Sequence, residues 1–252
     1  MRARYPNVSG MQYSFGPGGI TPAVKAIIIA NVSVFVLMVL TGGAPWIELL
    51  GLRPADLFQR FFVWQPLTYM FLHGGLGHIF FNMLLLWFIG VELERMWGTV
   101  FFARFYTACG LGAGATQVLL GILPFGFANA FYGVSTIGAS GAIYGLLLAY
   151  ALYFPTRPFL VFLIFPVQAR VFVMIMAGIS LLLATGGGGG VAHTAHLGGM
   201  ATAWFYLRGK GMNLNLASEI QYRYLKWKIN RMRKKFDVYS GGRRDDWDRK
   251  VH

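Results

Sequence analysis

The residues of this chain best suited to chemistry are a serine and a histidine at the starts of two apolar runs. Ser140 lies in the segment Gly138-Ala139-Ser140-Gly141, and His196 precedes Gly198 and Gly199. A serine hydroxyl is a weak nucleophile, but a neutral imidazole at hydrogen-bonding distance can take its proton and later return it to a leaving amine. The pair therefore predicts hydrolysis of an amide bond, with Ser140 as nucleophile and His196 as base.

A second pair of polar residues could stabilise the negative charge that this reaction builds on the carbonyl oxygen. His78 and Asn82 are at positions i and i+4, so both project from one face of a helix and could donate hydrogen bonds to an oxyanion. The Ser140 N–H, unpaired at the start of its own helix, could be a third donor. We therefore predict an oxyanion site that contains these groups.

No obvious carboxylate is available to complete a catalytic triad. Glu92 lies on the same run as His78, about 21 Å away along a helix. We therefore predict a dyad in which packing orients the imidazole ring. Tyr144, one helical turn after Ser140 on the same face, is well placed to stack on that ring.

Small residues accompany both members of the dyad. Gly141 and Gly145 on the first run, and Gly199 and Ala203 on the second, have the small-xxx-small spacing that lets two membrane helices approach closely. A direct hydrogen bond between Ser140 and a histidine on a neighbouring helix requires such an approach.

Composition indicates that these residues are positioned by a multi-pass membrane protein. The chain has 252 residues, a mean hydropathy of +0.54, 56% apolar residues and 12% charged residues. Runs long enough to cross about 30 Å of hydrocarbon predict six transmembrane helices and an all-α fold. We place them at 22–41, 77–96, 100–120, 139–155, 169–184 and 191–208, and the shorter apolar stretch from Pro158 to Val167 could belong to the fifth.

The positions of lysine and arginine predict that both termini are cytoplasmic, because positive flanks stay on that side of the membrane. From Arg208 onward the chain carries 13 of its 22 basic residues, whereas the segments 121–137 and 185–191 are uncharged. In this topology the second, fourth and sixth spans enter from the outside. His78, Asn82, Ser140 and His196 then lie at one level, so the site faces the extracytoplasmic side.

The same pattern divides the chain into a cytoplasmic arm at 1–20, a membrane domain at 21–208 and a basic cytoplasmic tail at 209–252. The +13 net charge is concentrated in the cytoplasmic flanks and therefore does not indicate nucleic-acid binding. In the tail, apolar residues recur at helical spacing among basic ones, which predicts an amphipathic helix on the anionic inner leaflet. These residues are Leu225, Ile229, Met232 and Phe236.

Other interpretations use some of the same residues. His73, His78, His193 and His196 could together ligate a haem or metal ion, but that hypothesis leaves Ser140 unexplained. His193, one turn before His196, is the alternative base. The run Gly186–Gly190 is either a flexible connector or a lid.

The combined motifs resemble those of the rhomboid family of intramembrane serine proteases. The resemblance covers roughly residues 20–208 and rests on four motifs: Gly138-Ala139-Ser140-Gly141, His78-x-x-x-Asn82, Ala195-His196-x-x-Gly199 and Gly90-x-x-x-Glu94-x-x-x-Gly98.

The resemblance implies a six-helix bundle in which Ser140 is the nucleophile, His196 the base, and His78 with Asn82 part of the oxyanion site. It implies no cofactor or metal, and cleavage of single-span membrane proteins in or near their transmembrane segments. A bacterial inner-membrane location is expected, with the fifth span as a lateral gate. A relative that binds transmembrane helices without cutting them is the alternative.

Overall fold

A computed structural model describes residues 17–124, 128–161, 165–184 and 190–209, with the single tail residues 225, 228, 229 and 231. The chain divides into two compact units, Met1–Gly211 and Met212–His252. In the second unit, Leu225 and Ile229 are helical and about half exposed. Met232 and Phe236 of the predicted tail helix lie outside the described residues, as do 186–189 of the glycine run and most of the predicted N-terminal arm.

The first unit is built almost entirely from helices. A π-helical turn at Leu86–Gly90 joins the helices Leu76–Leu85 and Val91–Trp97 into one continuous helix, and a 3₁₀ turn at Tyr69–Phe71 follows the short helix Gln65–Thr68. The α-helices of the described ranges are α1 (Pro22–Thr41), α2 (Gly43–Leu50), α3 (Pro54–Gln59), α4 (Gln65–Thr68), α5 (Leu76–Leu85), α6 (Val91–Trp97), α7 (Thr99–Ile122), α8 (Asn129–Tyr132), α9 (Ser140–Tyr153), α10 (Ala169–Ala184) and α11 (Gly190–Gly209).

Three of these helices are long and apolar enough to cross a membrane: α1, the continuous helix Leu76–Trp97, and α7. α9 and α10 are shorter apolar helices, and α11 has 20 residues but carries histidines, threonines and glycines among its apolar side chains. Each of the six runs predicted to span the membrane coincides with a helix to within about two residues. The chain is therefore a mostly helical integral membrane protein.

The stretch from Pro158 to Val167 is not part of the fifth helix, and the fold is not purely α-helical. Strands β1 (Pro158–Val161) and β2 (Phe165–Gln168) form an antiparallel hairpin in which Phe159 pairs with Val167. Pro166 explains the difference, since proline inside a helix removes a hydrogen bond and clashes with the preceding turn. In a two-stranded sheet every strand is an edge strand, where proline is tolerated.

The long connection between α1 and α5 is organised by a buried carboxylate. Arg53 donates two hydrogen bonds to Asp56, at 2.7 and 2.8 Å, and its backbone N–H donates to Oε1 of the buried Gln65 at 3.1 Å. Burial alone would raise the pKa of Asp56, but the hydrogen bonds and charge of Arg53 outweigh it and hold this pKa below its usual range. The connection exposes several apolar side chains, among them Phe61 and Val63, consistent with a segment in the headgroup region.

At the opposite end of the bundle, Glu94 of α6 caps the start of α1. Its buried carboxylate accepts hydrogen bonds from the backbone N–H groups of Ala23 and Val24, both at 2.9 Å, and from the Thr21 hydroxyl at 2.5 Å. The Thr99 hydroxyl donates a fourth bond at 2.8 Å. Because the first N–H groups of a helix have no internal partner, this carboxylate satisfies donors that would otherwise be orphaned.

α9 packs against both α7 and α11 through small residues. A methyl group added to Gly145 would lie 2.6 Å from Sγ of Cys109 on α7 and 3.1 Å from the carbonyl oxygen of Gly199 on α11. A methyl group added to Gly199 would lie 2.8 Å from the carbonyl carbon of Gly141 and closer still to its oxygen. Ordinary carbon contacts need about 3.5 Å, so only glycine permits this approach.

Candidate active site

The segment before Ser140 is irregular backbone that is tied to its neighbours before α9 begins. Thr136 exchanges both backbone hydrogen bonds with Leu52 of the outer connection, at 2.8 and 3.0 Å. The Gly138 N–H then donates to the Tyr69 carbonyl at 2.9 Å, and Gly138 itself has φ of 119°, a conformation that side chains with a Cβ rarely adopt. These constraints set where α9 starts, and Ser140 is its first residue.

The hydroxyl of Ser140 meets the imidazole of His196 from α11. Ser140 Oγ and His196 Nε2 are 2.8 Å apart and partly buried. For Nε2 to accept the serine proton, the ring hydrogen must be on Nδ1, which is buried and has no hydrogen-bond partner among the described residues. The arrangement is therefore a direct serine–histidine contact, and the described residues place no carboxylate on the far side of the ring.

Stacking on Tyr144 orients the His196 ring. The two ring centroids are 4.0 Å apart and the planes differ by 9°. His193, one turn earlier on α11, approaches edge-on, with centroids 5.7 Å apart and planes at 84°. The tyrosine therefore covers one whole face of the imidazole, whereas His193 touches its edge.

His78 reaches the same place from α5. Its Nδ1 accepts a long hydrogen bond from the Gly74 N–H, at 3.4 Å, which favours a hydrogen on Nε2. A methyl group added to Gly138 would lie 2.9 Å from this Nε2 and 3.7 Å from Ser140 Oγ. His78 thus presents an N–H donor beside the serine, and the glycine leaves the space between them open.

Asn82 lies one helical turn beyond His78 and is buried. Its side-chain amide donates to the His78 carbonyl at 2.8 Å, which occupies one of its two amide hydrogens. The second hydrogen remains for another acceptor. The structure therefore brings Ser140 and His196 into direct contact. His78 lies across the space beside Gly138 from Ser140 Oγ, and Asn82 supports the helical turn that carries His78.

The sequence analysis considered His73 only as a possible haem or metal ligand and gave it no place beside the predicted oxyanion site. In the structure His73 is 1% exposed, and its ring lies 4.9 Å from that of His78. Among the described residues, no three histidine, cysteine, aspartate or glutamate side chains form a group that could hold a metal ion.

Comparison with known proteins identifies relatives of this chain. A family model described as "Rhomboid domain" matches residues 60–211. The Rhomboid protease GluP of Bacillus subtilis is 28% identical over 197 residues, which cover 76% of this chain and 35% of that protein. RHOMBOID-like protein 4 of Arabidopsis thaliana is 31% identical over 141 residues, 56% of this chain and 32% of that protein.

The Rhomboid protease GlpG of Klebsiella pneumoniae is 27% identical over 144 residues, which cover 57% of this chain and 46% of that protein. The chain therefore spans less than half the length of each of these three relatives.

Proposed function

The chain belongs to the rhomboid family, and we propose that it is an intramembrane serine endopeptidase that cuts single-span membrane proteins in or near their transmembrane segments. The observation that carries this proposal is the 2.8 Å contact between Ser140 Oγ and His196 Nε2. Hydroxyl and imidazole at this distance are the minimum machinery for acyl transfer. The relatives named as proteases support the same reaction class.

In the proposed mechanism His196 takes the proton of Ser140 as the hydroxyl oxygen attacks the substrate carbonyl carbon. The carbonyl π electrons move to the oxygen, which becomes an oxyanion. When the C–N bond breaks, His196 returns the proton to the departing amine and Ser140 keeps the acyl group. Water then attacks the acyl-enzyme, and His196 takes its proton as base. When the bond between the acyl carbon and Ser140 Oγ breaks, His196 returns the proton to Ser140, and the new carboxyl end leaves.

The oxyanion lies, in this proposal, between the His78 Nε2–H and the Ser140 backbone N–H. The space beside Gly138 supports this location, because it separates the His78 ring from Ser140 Oγ by a gap that a side chain would fill. Asn82 contributes its second amide hydrogen or holds the turn that carries His78. Preorganised donors of this kind are worth about 10²-fold to 10³-fold each in rate.

The proposed substrate chemistry is what membership of the rhomboid family implies. Peptide bonds inside a helix are shielded by their own hydrogen bonds, so a substrate must be extended locally to reach Ser140. Transmembrane segments with small residues or a helix-weakening residue near the outer surface satisfy this requirement. We propose that such segments reach the site from within the bilayer.

The proposal includes the predicted topology. Six spans, 22–41 to 191–208, would place both ends of the membrane domain on the cytoplasmic side and the dyad on the extracytoplasmic side of a bacterial inner membrane. The basic tail would then lie on the anionic inner leaflet. Accessibility labelling of single cysteines placed in the outer connection and in the tail tests this arrangement.

The direct test is cleavage of a fluorescent single-span reporter by purified protein in liposomes. We expect Ser140→Ala and His196→Ala to abolish cleavage while retaining the helical content and thermal midpoint of the intact chain. Cleavage that survives Ser140→Ala would refute the mechanism. A well-folded intact chain that binds the reporter helix and never cuts it, across a panel of reporters, would support the helix-binding relative instead.

A further inference from the structure

The hairpin of β1 and β2 is fastened to the bundle at the end opposite Ser140. The Ala169 N–H donates to the Arg157 carbonyl at 2.9 Å, and the Arg170 N–H donates to the Pro155 carbonyl at 3.2 Å. These two bonds join the chain just after α9 to the first turn of α10. The base of the hairpin therefore lies beside the ends of two apolar helices.

One face of the hairpin packs on those helices. Phe159 of β1 stacks on Phe172 of α10, with ring centroids 4.7 Å apart and planes that differ by 8°. The Phe159 ring also meets Tyr150 of α9 edge-on, with centroids 6.3 Å apart. Phe172 and Tyr150 each lie about one turn inside the ends of their helices. The face that carries Phe159 is therefore turned toward the membrane domain.

The same face continues to Phe165. Successive residues of a strand point to opposite faces of a sheet, and directly paired residues share a face. Phe159 pairs with Val167, so Phe165, two residues before Val167, lies on the face of Phe159. Its side chain is 62% exposed. The packed face thus extends past the edge of the bundle and presents an aromatic ring there.

Lipid is the surrounding that this exposed ring fits. The neighbouring helix α10 exposes Met174 and Ile179, by 63% and 44%, as expected of a helix that faces the bilayer. Neither β1 nor β2 carries a charged side chain. An exposed apolar surface that continues the lipid-facing surface of a membrane helix is most stable when acyl chains cover it.

The base of the hairpin has the opposite character. Arg157 and Arg170 flank the two strands, and the Arg157 side chain binds Glu92. The Arg170 guanidinium donates two hydrogen bonds to the Gln168 side-chain oxygen, at 2.9 and 2.6 Å, and has no carboxylate partner among the described residues. A guanidinium without a carboxylate is complementary to a lipid phosphate. The base of the hairpin therefore fits the headgroup level.

The hydrogen bonding of a two-stranded sheet limits how deep the hairpin can lie. Both outer edges carry N–H and C=O groups that no strand pairs with, and hydrocarbon cannot satisfy them. Pro158 and Pro166 lack an N–H and so reduce the number of free donors, but the carbonyl groups remain. The backbone must therefore stay in the hydrated interface, and only side chains can enter the acyl region.

We propose that the β1–β2 hairpin is an interfacial anchor that binds the lipid leaflet opposite the dyad, with the Phe165 ring among the acyl chains. Elements of this kind bury their apolar face about 5–10 Å into the boundary between headgroups and acyl chains. The stacking of Phe159 on Phe172 makes the anchor continuous with the first turn of α10. This role goes beyond the proposed protease function and does not depend on it.

The test is the depth of spin labels on single cysteines, in protein reconstituted into liposomes of phosphatidylcholine and phosphatidylglycerol. Cys109, the only cysteine, is buried and is first replaced by alanine. Collisions of each label with oxygen, which concentrates in lipid, are compared with collisions with a water-soluble nickel chelate. Phe165→Cys reports the proposed lipid contact. Pro166→Cys is the matched control, because Pro166 is the exposed neighbour on the opposite face of the same strand.

Two further positions give the scale. Thr156→Cys lies at the exposed base of the hairpin, and Ile179→Cys lies about 15 Å along α10 from its start. We expect the Phe165 label to favour oxygen, at a depth of about 5–10 Å below the phosphates and shallower than the Ile179 label. The Pro166 and Thr156 labels should favour the nickel chelate.

Two results would overturn the anchor. A Phe165 label that favours the chelate as strongly as the Thr156 label would show that the hairpin projects into water, where a protein partner could bind it. Phe165 and Pro166 labels that both reach the depth of the Ile179 label would show that the hairpin is immersed in hydrocarbon.

A second measurement keeps the native side chain almost unchanged and serves if the cysteine variants do not fold. 4-Fluorophenylalanine is inserted at position 165 alone, and its fluorine resonance is recorded in the same liposomes with oxygen or with the nickel chelate. We expect oxygen to relax the fluorine more strongly than the chelate does. Stronger relaxation by the chelate would refute the lipid contact, whether or not the protein cleaves any reporter.

Discussion

A single methyl group added at the contact between Gly199 and Gly141 should strongly lower the rate of catalysis. A Cβ at Gly199 would lie 2.8 Å from the Gly141 carbonyl carbon, whereas a normal carbon contact is about 3.5 Å. The methyl group would be closer still to the carbonyl oxygen, so α9 and α11 must separate by about 1 Å. The obstructing atoms are backbone, which cannot rotate away.

That displacement acts almost directly on the dyad. Gly141 follows Ser140, and Gly199 lies one turn after His196, so the added separation is transmitted to the 2.8 Å bond between serine and histidine. Misplacement of reacting groups by 1 Å can cost about 100-fold in rate. We therefore expect Gly199→Ala to lower kcat/KM on the order of 100-fold, with a loss of about 1–3 kcal/mol in the free energy of unfolding.

Gly178→Ala is the matched control for this substitution. Gly178 lies inside α10, is exposed, and would present its new methyl group to no atom within 4 Å. It tests the effect of a glycine-to-alanine change in a helix without the steric cost. The assay is reporter cleavage in liposomes, with thermal unfolding of the same preparations. A Gly199→Ala activity within about twofold of the Gly178→Ala control would refute the reasoning, since this packing would then not position the dyad.

Three further substitutions test other parts of the structure. Asp56→Asn should lower the thermal midpoint at pH 7. The pKa of Asp56 is lowered in the folded state, so the stabilisation from its carboxylate is present above the unfolded-state pKa of about 3.9 and is lost as pH falls through the folded-state pKa. The thermal midpoints of Asp56→Asn and of the intact chain should therefore converge in acid. If the thermal midpoints of the two proteins instead changed in parallel with pH, the Asp56 carboxylate would not stabilise the fold in this way. Glu94→Gln should lower the free energy of unfolding by about 2 kcal/mol, as measured by chemical unfolding, and should leave kcat unchanged. An unchanged free energy of unfolding would show that the cap of α1 does not need the negative charge. His78→Ala should lower kcat about 10²-fold to 10³-fold with little change in KM, and a KM effect alone would remove His78 from the oxyanion site.

The residues of the site could be identified from the sequence because they are polar residues at the starts of apolar runs. A helix that only contacts lipid does not need a serine flanked by small residues, such as Ser140, or a histidine such as His196. Their spacing from Tyr144 and Gly199 also follows from helix geometry, which is local. The close approach of α9 and α11 was therefore predictable from small residues alone.

Features that depend on distant partners or on short irregular segments were not predictable. The sequence from Pro158 to Val167 is apolar enough for a helix, and only Pro158 and Pro166 hint at the hairpin. Glu94 caps α1 by accepting a hydrogen bond from the Val24 N–H, 70 residues earlier in the chain, a contact without a sequence pattern.

The measurement that tests the central claim most directly is covalent labelling of Ser140 by a small fluorophosphonate in liposomes, with the modified residue identified by peptide mass. Such a reagent reports the nucleophile and its base without requiring the natural substrate. We expect a single adduct on Ser140, formed 10²-fold or more slowly in His196→Ala, the order of magnitude of general-base catalysis. An adduct on another residue, or an equal rate without His196, would contradict the serine–histidine dyad.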